Sequence, residues 1–370
     1  PCTYRMTRLR RRGEFTGLPG RAMRALVLRD FYDIAVEERP DPVAGPEEVV
    51  VEVIATGICG SDFHGYSGEN GRRHPGQIMG HETVGRIREL GTDVAELTVG
   101  QLVTVNPVMS CGVCPACVSG QEHWCSRRVV LGVAPEIPAA FADRVAVPAA
   151  NVVPLPEDMP EELGALVEPM AVSYHAVRRG KPVPDDRMLV IGGGPIGQAC
   201  VLAAQRLGIG ALALSEVSAS RRELCSRLGA AVIDPAGGDL GDAVANELGG
   251  PPTLVVDAVG ISRTVGDALT VSSLGARIVV VGMGSPQLDL AAYALSTAER
   301  SLIGSFAYSA AEFADTAEWV GTVPEGIQTL IEGRVGWEGA PQSFDDLARG
   351  RSTASKILVF PHGLPHQASA

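Results

Sequence analysis

The sequence predicts an α/β chain in two parts, a β-rich first domain followed by a doubly wound parallel sheet. Three observations carry that prediction. Between residue 23 and about residue 150, short apolar runs are cut by glycine and proline with few helical periods, as in β-barrels and sandwiches. From Met188 onward strand-like and helix-like runs alternate, the pattern of a parallel sheet covered on both faces. Between the first of those strands and the helix behind it stands Gly192-Gly193-Gly194-Pro195-Ile196-Gly197.

Taken in order, residues 1–22 cluster Arg5, Arg8, Arg10, Arg11 and Arg12 ahead of glycines and a proline, and read as a disordered tail or an extension ahead of the domain. Strands are expected at 25–28, 49–54, 84–88, 102–105 and 141–147, each a Val-, Ile- or Leu-rich run bounded by turn formers. Apolar residues then fall at helical spacing from 161 to 179. The second part carries strands at 188–191, 211–214, 254–260 and 277–284, with a helix at 198–207. A helix is expected at 312–320, an edge strand at 356–360 (KILVF), and a loose tail over 361–370. The domain boundaries expected from these changes of style are 23–170, with a cysteine lobe at 108–128, then 171–304, then 305–360.

The bulk numbers exclude some classes. At 370 residues the chain can bury two cores. A formal net charge of -12 argues against nucleic acid or an anionic membrane as partner, since both call for a basic surface. No apolar run approaches the roughly twenty residues that cross a bilayer, and no apolar h-region follows the N-terminal arginines. A cytoplasmic location is the expectation.

The glycine loop has the context that a dinucleotide fingerprint requires, a buried strand before it and a helix after it. Gly192 allows the tight turn, Gly194 admits the pyrophosphate, and Gly197 lets the helix approach the strand. Pro195 suits a helix start, and Ile196 completes the loop. The helix N-terminus offers unpaired N–H groups and the positive end of its dipole to the phosphates. Glu216 ends the next strand about twenty residues later, where a carboxylate accepts ribose hydroxyls and repels a 2′-phosphate. That favours NAD over NADP, although Arg221 and Arg222 could receive a phosphate if the loop bent toward them.

Cys111, Cys114, Cys117 and Cys125 are spaced C-x2-C-x2-C-x7-C, four of the eight cysteines within fifteen residues. Thiolates so spaced can close a tetrahedron around one zinc, leaving no open position and hence a structural role. Disulfides are the alternative, disfavoured in a reducing compartment. His123 lies inside this loop and reads as a surface residue. A second metal candidate is Gly80-His81-Glu82, a nitrogen and an oxygen donor side by side, with the thiol of Cys59 about twenty residues upstream completing a zinc-suited set.

Together, Cys59, the pattern Gly80-His81-Glu82-x2-Gly85-x5-Gly91-x2-Val94, the four-cysteine lobe and the glycine loop resemble the zinc-dependent alcohol dehydrogenases of the medium-chain dehydrogenase/reductase family. The resemblance implies a GroES-like catalytic domain, a Rossmann domain, a return of the last segment to the catalytic domain, and a cleft holding zinc and nicotinamide. It makes Cys59 and His81 ligands of a catalytic zinc, so that one catalytic and one structural zinc per chain are expected. Glu168 matches the glutamate found in relatives resembling sorbitol, threonine and butanediol dehydrogenases, and either Glu82 or Glu168 would be the carboxylate on the metal. Asp62 would hold the far ring nitrogen of His81. Ser61 would touch the substrate oxygen, and His64 would pass the proton to solvent. Phe63, Tyr66, Phe141, Met170 and Phe306 are the expected pocket lining. The implied reaction is reversible hydride transfer between NAD and a secondary alcohol, such as a polyol, sugar, vicinal diol or threonine-like compound, in a homodimer or tetramer. A zinc-free quinone-reductase-like enzyme or a catalytically silent nucleotide-binding protein on the same scaffold are the alternatives. Neither needs Cys59, His81, Glu82 and Ser61 together.

Overall fold

The structure is a computed structural model that describes residues 22–69 and 71–365, so the arginine-rich start and the last five residues lie outside it. The first elements are β1 (Ala22–Asp30), β2 (Asp33–Pro40), β3 (Glu48–Gly57), α1 (Gly60–Tyr66), β4 (Glu82–Leu90), β5 (Leu102–Val105), β6 (Val108–Met109), α2 (Pro115–Val118), β7 (Val129–Val130), β8 (Arg144–Pro148) and β9 (Val152–Pro154). There follow α3 (Val167–Arg179), β10 (Arg187–Ile191), α4 (Pro195–Arg206), β11 (Ala211–Ser215), α5 (Ala219–Ser226), β12 (Ala231–Ile233), α6 (Leu240–Leu248), β13 (Leu254–Asp257), α7 (Ser262–Val271), β14 (Arg277–Val280), α8 (Ala292–Ser296) and β15 (Ser301–Gly304). The chain closes with α9 (Ala310–Gly321), β16 (Ile331–Gly336), α10 (Ala340–Ala348) and β17 (Lys356–Phe360). Two compact units result, one holding the described chain up to Glu168, Ser309–Val323 and everything from Ile331 on, the other Pro169–Tyr308 and Pro324–Leu330.

The first unit is built on a seven-stranded sheet, ordered β16-β17-β3-β4-β5-β9 with β8 pairing β3. One core packs Val49, Val51 and Val53 of β3 against Ile87, Val103 and Val145, the inward positions of antiparallel partners. Here the structure corrects the expectation of an edge strand at 356–360. β17 lies inside the sheet, parallel to β16 on one side and antiparallel to β3 on the other. All five of its residues are buried, which a continuous apolar run requires and an edge would not supply. The strand expected at 141–147 shortens to β8, and Ala142 makes only an isolated bridge to Ala25. The helix expected at 161–179 divides into a 3₁₀ segment at Glu161–Leu166 and α3.

The second unit is a six-stranded, wholly parallel sheet in the order β12-β11-β10-β13-β14-β15. Its helices bury Val244, Leu248, Val265 and Leu269 against Leu189, Val255 and Ile278. The strand order reverses between β10 and β13, the switch point where parallel sheets of this kind bind ligands.

Candidate metal and dinucleotide sites

Strand register assembles the first site. Gly57 at the end of β3 pairs with Glu82 at the start of β4, and on its other side with Leu358 of β17. Cys59, two residues past β3, therefore meets His81 and Glu82 although the sequence separates them. Ligand atoms of these three side chains lie within 4.8 Å of one another. Gly80 directs the imidazole: its φ is +100°, and an added Cβ would come within 2.7 Å of the Phe141 nitrogen. Glycine alone takes that backbone without strain.

Cys59 is also the extended cap of α1, where the Asp62 side chain accepts the Cys59 N–H at 3.2 Å. The other Asp62 oxygen accepts Arg73 Nη2 at 3.2 Å and lies 3.5 Å from His81 Nδ1. That contact leaves Nε2 as the nitrogen to face a metal. Burial alone would raise the Asp62 carboxyl, but the charges of His81 and Arg73 hold it below its ordinary value. In His81 burial works downward, and Asp62 with Cys59 outweighs it, holding the imidazolium well above its ordinary range. A half-buried thiol beside a buried imidazole and a buried carboxylate, which jointly favour positive charge, suits zinc by donor chemistry.

Lys356 is the residue that sequence reasoning missed here. Its ammonium is 2% exposed and donates to both Glu82 oxygens, at 2.7 and 2.5 Å, and to the Ile58 carbonyl at 3.3 Å. Burial pushes its pKa down, but Glu82 and Cys59, with a further contribution from Glu168, raise it above the ordinary lysine value. A lysine opening the otherwise apolar run KILVF was the available signal. Glu168 itself, half-buried at the start of α3, is not among the three clustered ligands.

Ser61 is half-buried in the first turn of α1, and Arg73 Nη2 donates to its hydroxyl at 3.3 Å. His64 is exposed, with Nδ1 2.9 Å from Glu69. Of the expected pocket lining in this unit, Tyr66 and Phe141 belong to the core, both packed on Phe344.

The four cysteines of the lobe also converge, their sulfurs within 4.8 Å of one another. Cys117 Sγ lies 3.8 Å from Cys111 and 3.5 Å from Cys114, and all four are free thiols. The backbone N–H groups of Val113 and Cys114 bring the Cys111 thiol down to about 6. Cys114, despite the Cys117 N–H, is pushed up to about 11 by burial and the neighbouring sulfurs. Thiols so crowded cannot all ionise without a cation among them, so the donor set fits a closed zinc site. His123 is buried at 3% exposure, not on the surface as expected, with its ring tilted by 53° to that of Trp124 at a centroid distance of 5.1 Å.

In the second unit, β10 runs into Gly192 and α4 begins at Pro195 with Gly194 as its cap. A Cβ on Gly197 would fall 1.7 Å from the Gly192 carbonyl, so the close packing of loop on helix excludes any side chain. Glu216 follows β11 and is 5% exposed. Its two oxygens accept the Gly193 and Ser218 N–H groups, each at 2.7 Å, so the carboxylate is locked to the glycine loop. Ile196 carries no side-chain role in these contacts, but its carbonyl accepts Ser173 Oγ at 3.1 Å. Arg221 lies in the first turn of α5, its N–H 3.5 Å from the Ser218 cap. Arg222 is committed elsewhere, bonding the Glu216 and Val217 carbonyls and pairing with Asp234 at 2.8 Å.

Comparison with known proteins accords with this geometry. Residues 45–157 match the alcohol dehydrogenase GroES-like domain, and residues 195–322 match the zinc-binding dehydrogenase model. The L-galactonate-5-dehydrogenase of Escherichia coli K12 is 30% identical over 340 residues, covering 91% of this chain and 99% of that protein. A zinc-binding dehydrogenase from Sinorhizobium meliloti 1021, solved bound to NADP, superposes with a TM-score of 0.85 at 28% identity, covering 92% of this chain and 100% of the other. An alcohol dehydrogenase from Escherichia coli CFT073, solved with NADH, gives 0.84 at 28% identity with the same coverage. Among the described residues no helix is long and apolar enough to cross a membrane. The chain belongs to the zinc-dependent alcohol dehydrogenases of the medium-chain dehydrogenase/reductase family, enzymes that act on CH–OH donors with a nicotinamide dinucleotide.

Proposed function

We propose that this enzyme oxidises a secondary alcohol of a polyol, sugar, vicinal diol or threonine-like compound with NAD, and reduces the ketone in reverse. The observation that carries the reading is the cluster of Cys59, His81 and Glu82 beside the Ser61 turn. Cys59, His81 and Glu82 would hold the catalytic zinc, with Glu168 acting on the same charge balance through Lys356. Cys111, Cys114, Cys117 and Cys125 would hold the structural zinc, so about two zincs per chain are expected. Zinc bound there acts as a Lewis acid that eases loss of the alcohol proton. A nicotinamide dinucleotide held at the Gly192–Gly197 loop would supply the hydride acceptor.

The chain's own groups do the rest. Asp62 keeps the His81 ring oriented, the Ser61 hydroxyl takes the substrate proton, and exposed His64 returns it to water. Gly192, Gly194 and Gly197 with Pro195 and Ile196 form the phosphate cradle.

Preference for NAD is supported by Glu216, a buried carboxylate after β11 that is bonded to the glycine loop and of the kind that repels a 2′-phosphate, and by the commitment of Arg222 to Asp234. The two solved relatives carry NADP and NADH, so kinship leaves this choice to the site. The galactonate dehydrogenase points to polyhydroxylated substrates. A homo-oligomer is part of the proposal: β15 edges its sheet, with Leu302 37% and Phe306 45% exposed. The test is formation of reduced cofactor against a panel of polyols, sugar acids, vicinal diols and threonine, run with NAD and with NADP. NAD should exceed NADP in kcat/KM by at least about tenfold, or about 1.4 kcal/mol. No turnover of any secondary alcohol by zinc-loaded enzyme would refute the reading.

A further inference from the structure

Arg73 is a fully buried cation that the reaction as described does not use. It is 1% exposed, and its stem passes so close beneath α1 that a Cβ on Gly65 would lie 2.1 Å from its Cγ. One nitrogen, Nη2, carries both of its hydrogen bonds, to Ser61 Oγ at 3.3 Å and to Asp62 Oδ1 at 3.2 Å. Among the described residues, Nε and Nη1 are buried without a hydrogen-bond partner. Burying donors unpaired is costly, so an apolar side chain of similar volume would serve packing better. Nor is the fork used to grip Asp62 with two parallel bonds, the arrangement that charge compensation alone would favour. What Arg73 does is join Ser61 to the carboxylate that faces His81.

A guanidinium only donates, so the Ser61 oxygen must accept from it, and the Ser61 proton must point away from Arg73. We infer that Arg73 is a positioning residue for the Ser61 hydroxyl, setting the direction in which it accepts the substrate proton and hands on its own. The inference rests on the Ser61 relay proposed above. With one Ser61 lone pair held by Arg73, the substrate O–H is received on the other, and the original Ser61 proton leaves outward. The positive guanidinium also offsets charge that gathers on the Ser61 oxygen while its two protons are exchanged.

The test is a double-mutant cycle of Arg73→Met and Ser61→Ala in zinc-loaded enzyme, with xylitol or 2,3-butanediol as the alcohol and zinc content measured on every variant. Ser61→Ala should lower kcat by at least about a hundredfold and Arg73→Met by about ten- to a hundredfold, with the KM for NAD within about twofold. The double variant should be no slower than Ser61→Ala alone, because Arg73 acts through that hydroxyl. Arg73→Lys should recover part of the loss, and it replaces Arg73→Met in the cycle if the latter does not fold. All variants should keep about two zincs per chain. Loss of zinc in the Arg73 variant, or penalties that multiply in the double variant, would overturn the inference and leave a structural residue. Ser61→Ala at the parental rate would instead remove the relay on which it stands.

Discussion

Lys356→Met isolates the buried pair at the heart of the first site. Lys356 and Glu82 are 2% and 1% exposed, and both carboxylate oxygens are bonded to the ammonium. Removing the lysine leaves a buried charge without its partner, a change that costs about 3–5 kcal/mol in such pairs. Because about 1 kcal/mol moves the midpoint by roughly 2–4 °C in a domain of 150–250 residues, the unfolding transition of the first unit should fall by roughly 6–20 °C. Replacing both partners, Lys356→Met with Glu82→Leu, should recover most of that loss, since two well-packed apolar groups need no compensation. Supplying zinc should also shrink the penalty of the single variant, because Glu82 already faces Cys59 and His81 and the metal can take over the role of the ammonium. The assay is circular dichroism on melting, with and without a chelator, alongside metal analysis. A single variant that melts within about 2 °C of the parent in chelator would refute the argument that this pair is an uncompensated charge waiting to be exposed.

Other expectations follow from the same geometry. Glu82→Gln should lower zinc content from about two per chain to about one, whereas Glu168→Gln should retain both by atomic absorption, since Glu168 stands outside the ligand cluster. Cys125→Ser, at a fully buried position, should empty the lobe and cost stability while the site of Cys59 and His81 keeps its metal, read by zinc analysis and melting. Gly197→Ala places a methyl 1.7 Å from the Gly192 carbonyl and should weaken NADH binding by at least about tenfold in a fluorescence titration, with both zincs retained.

Local sequence carried much of this protein. The glycine loop between β10 and α4 and the cysteine spacing of the lobe are contiguous patterns whose geometry is set by neighbours in the chain. Alternation of strand and helix likewise announces a parallel sheet, because each element needs only its own apolar period. Errors arose where the tertiary environment decides. KILVF reads as an edge strand by its place near the chain's end, yet pairing on both sides makes it interior. His123 reads as a surface residue by polarity, yet the folded lobe buries it against Trp124.

Residue types, and with them the chemistry, are written in the chain: a thiol, an imidazole and carboxylates for a metal, thiolates for a second, glycines for a phosphate. Which of those groups share a volume depends on the folded chain. Glu82 and Lys356 are separated by 274 positions and meet because the antiparallel register of β3 places β4 and β17 on its two sides. Arg73 reaches Ser61 because Gly65 leaves room for its stem. Neither contact has a period or spacing along the chain. Each is set by strand pairing and close packing between distant segments, and these place the two cations beside the candidate active site.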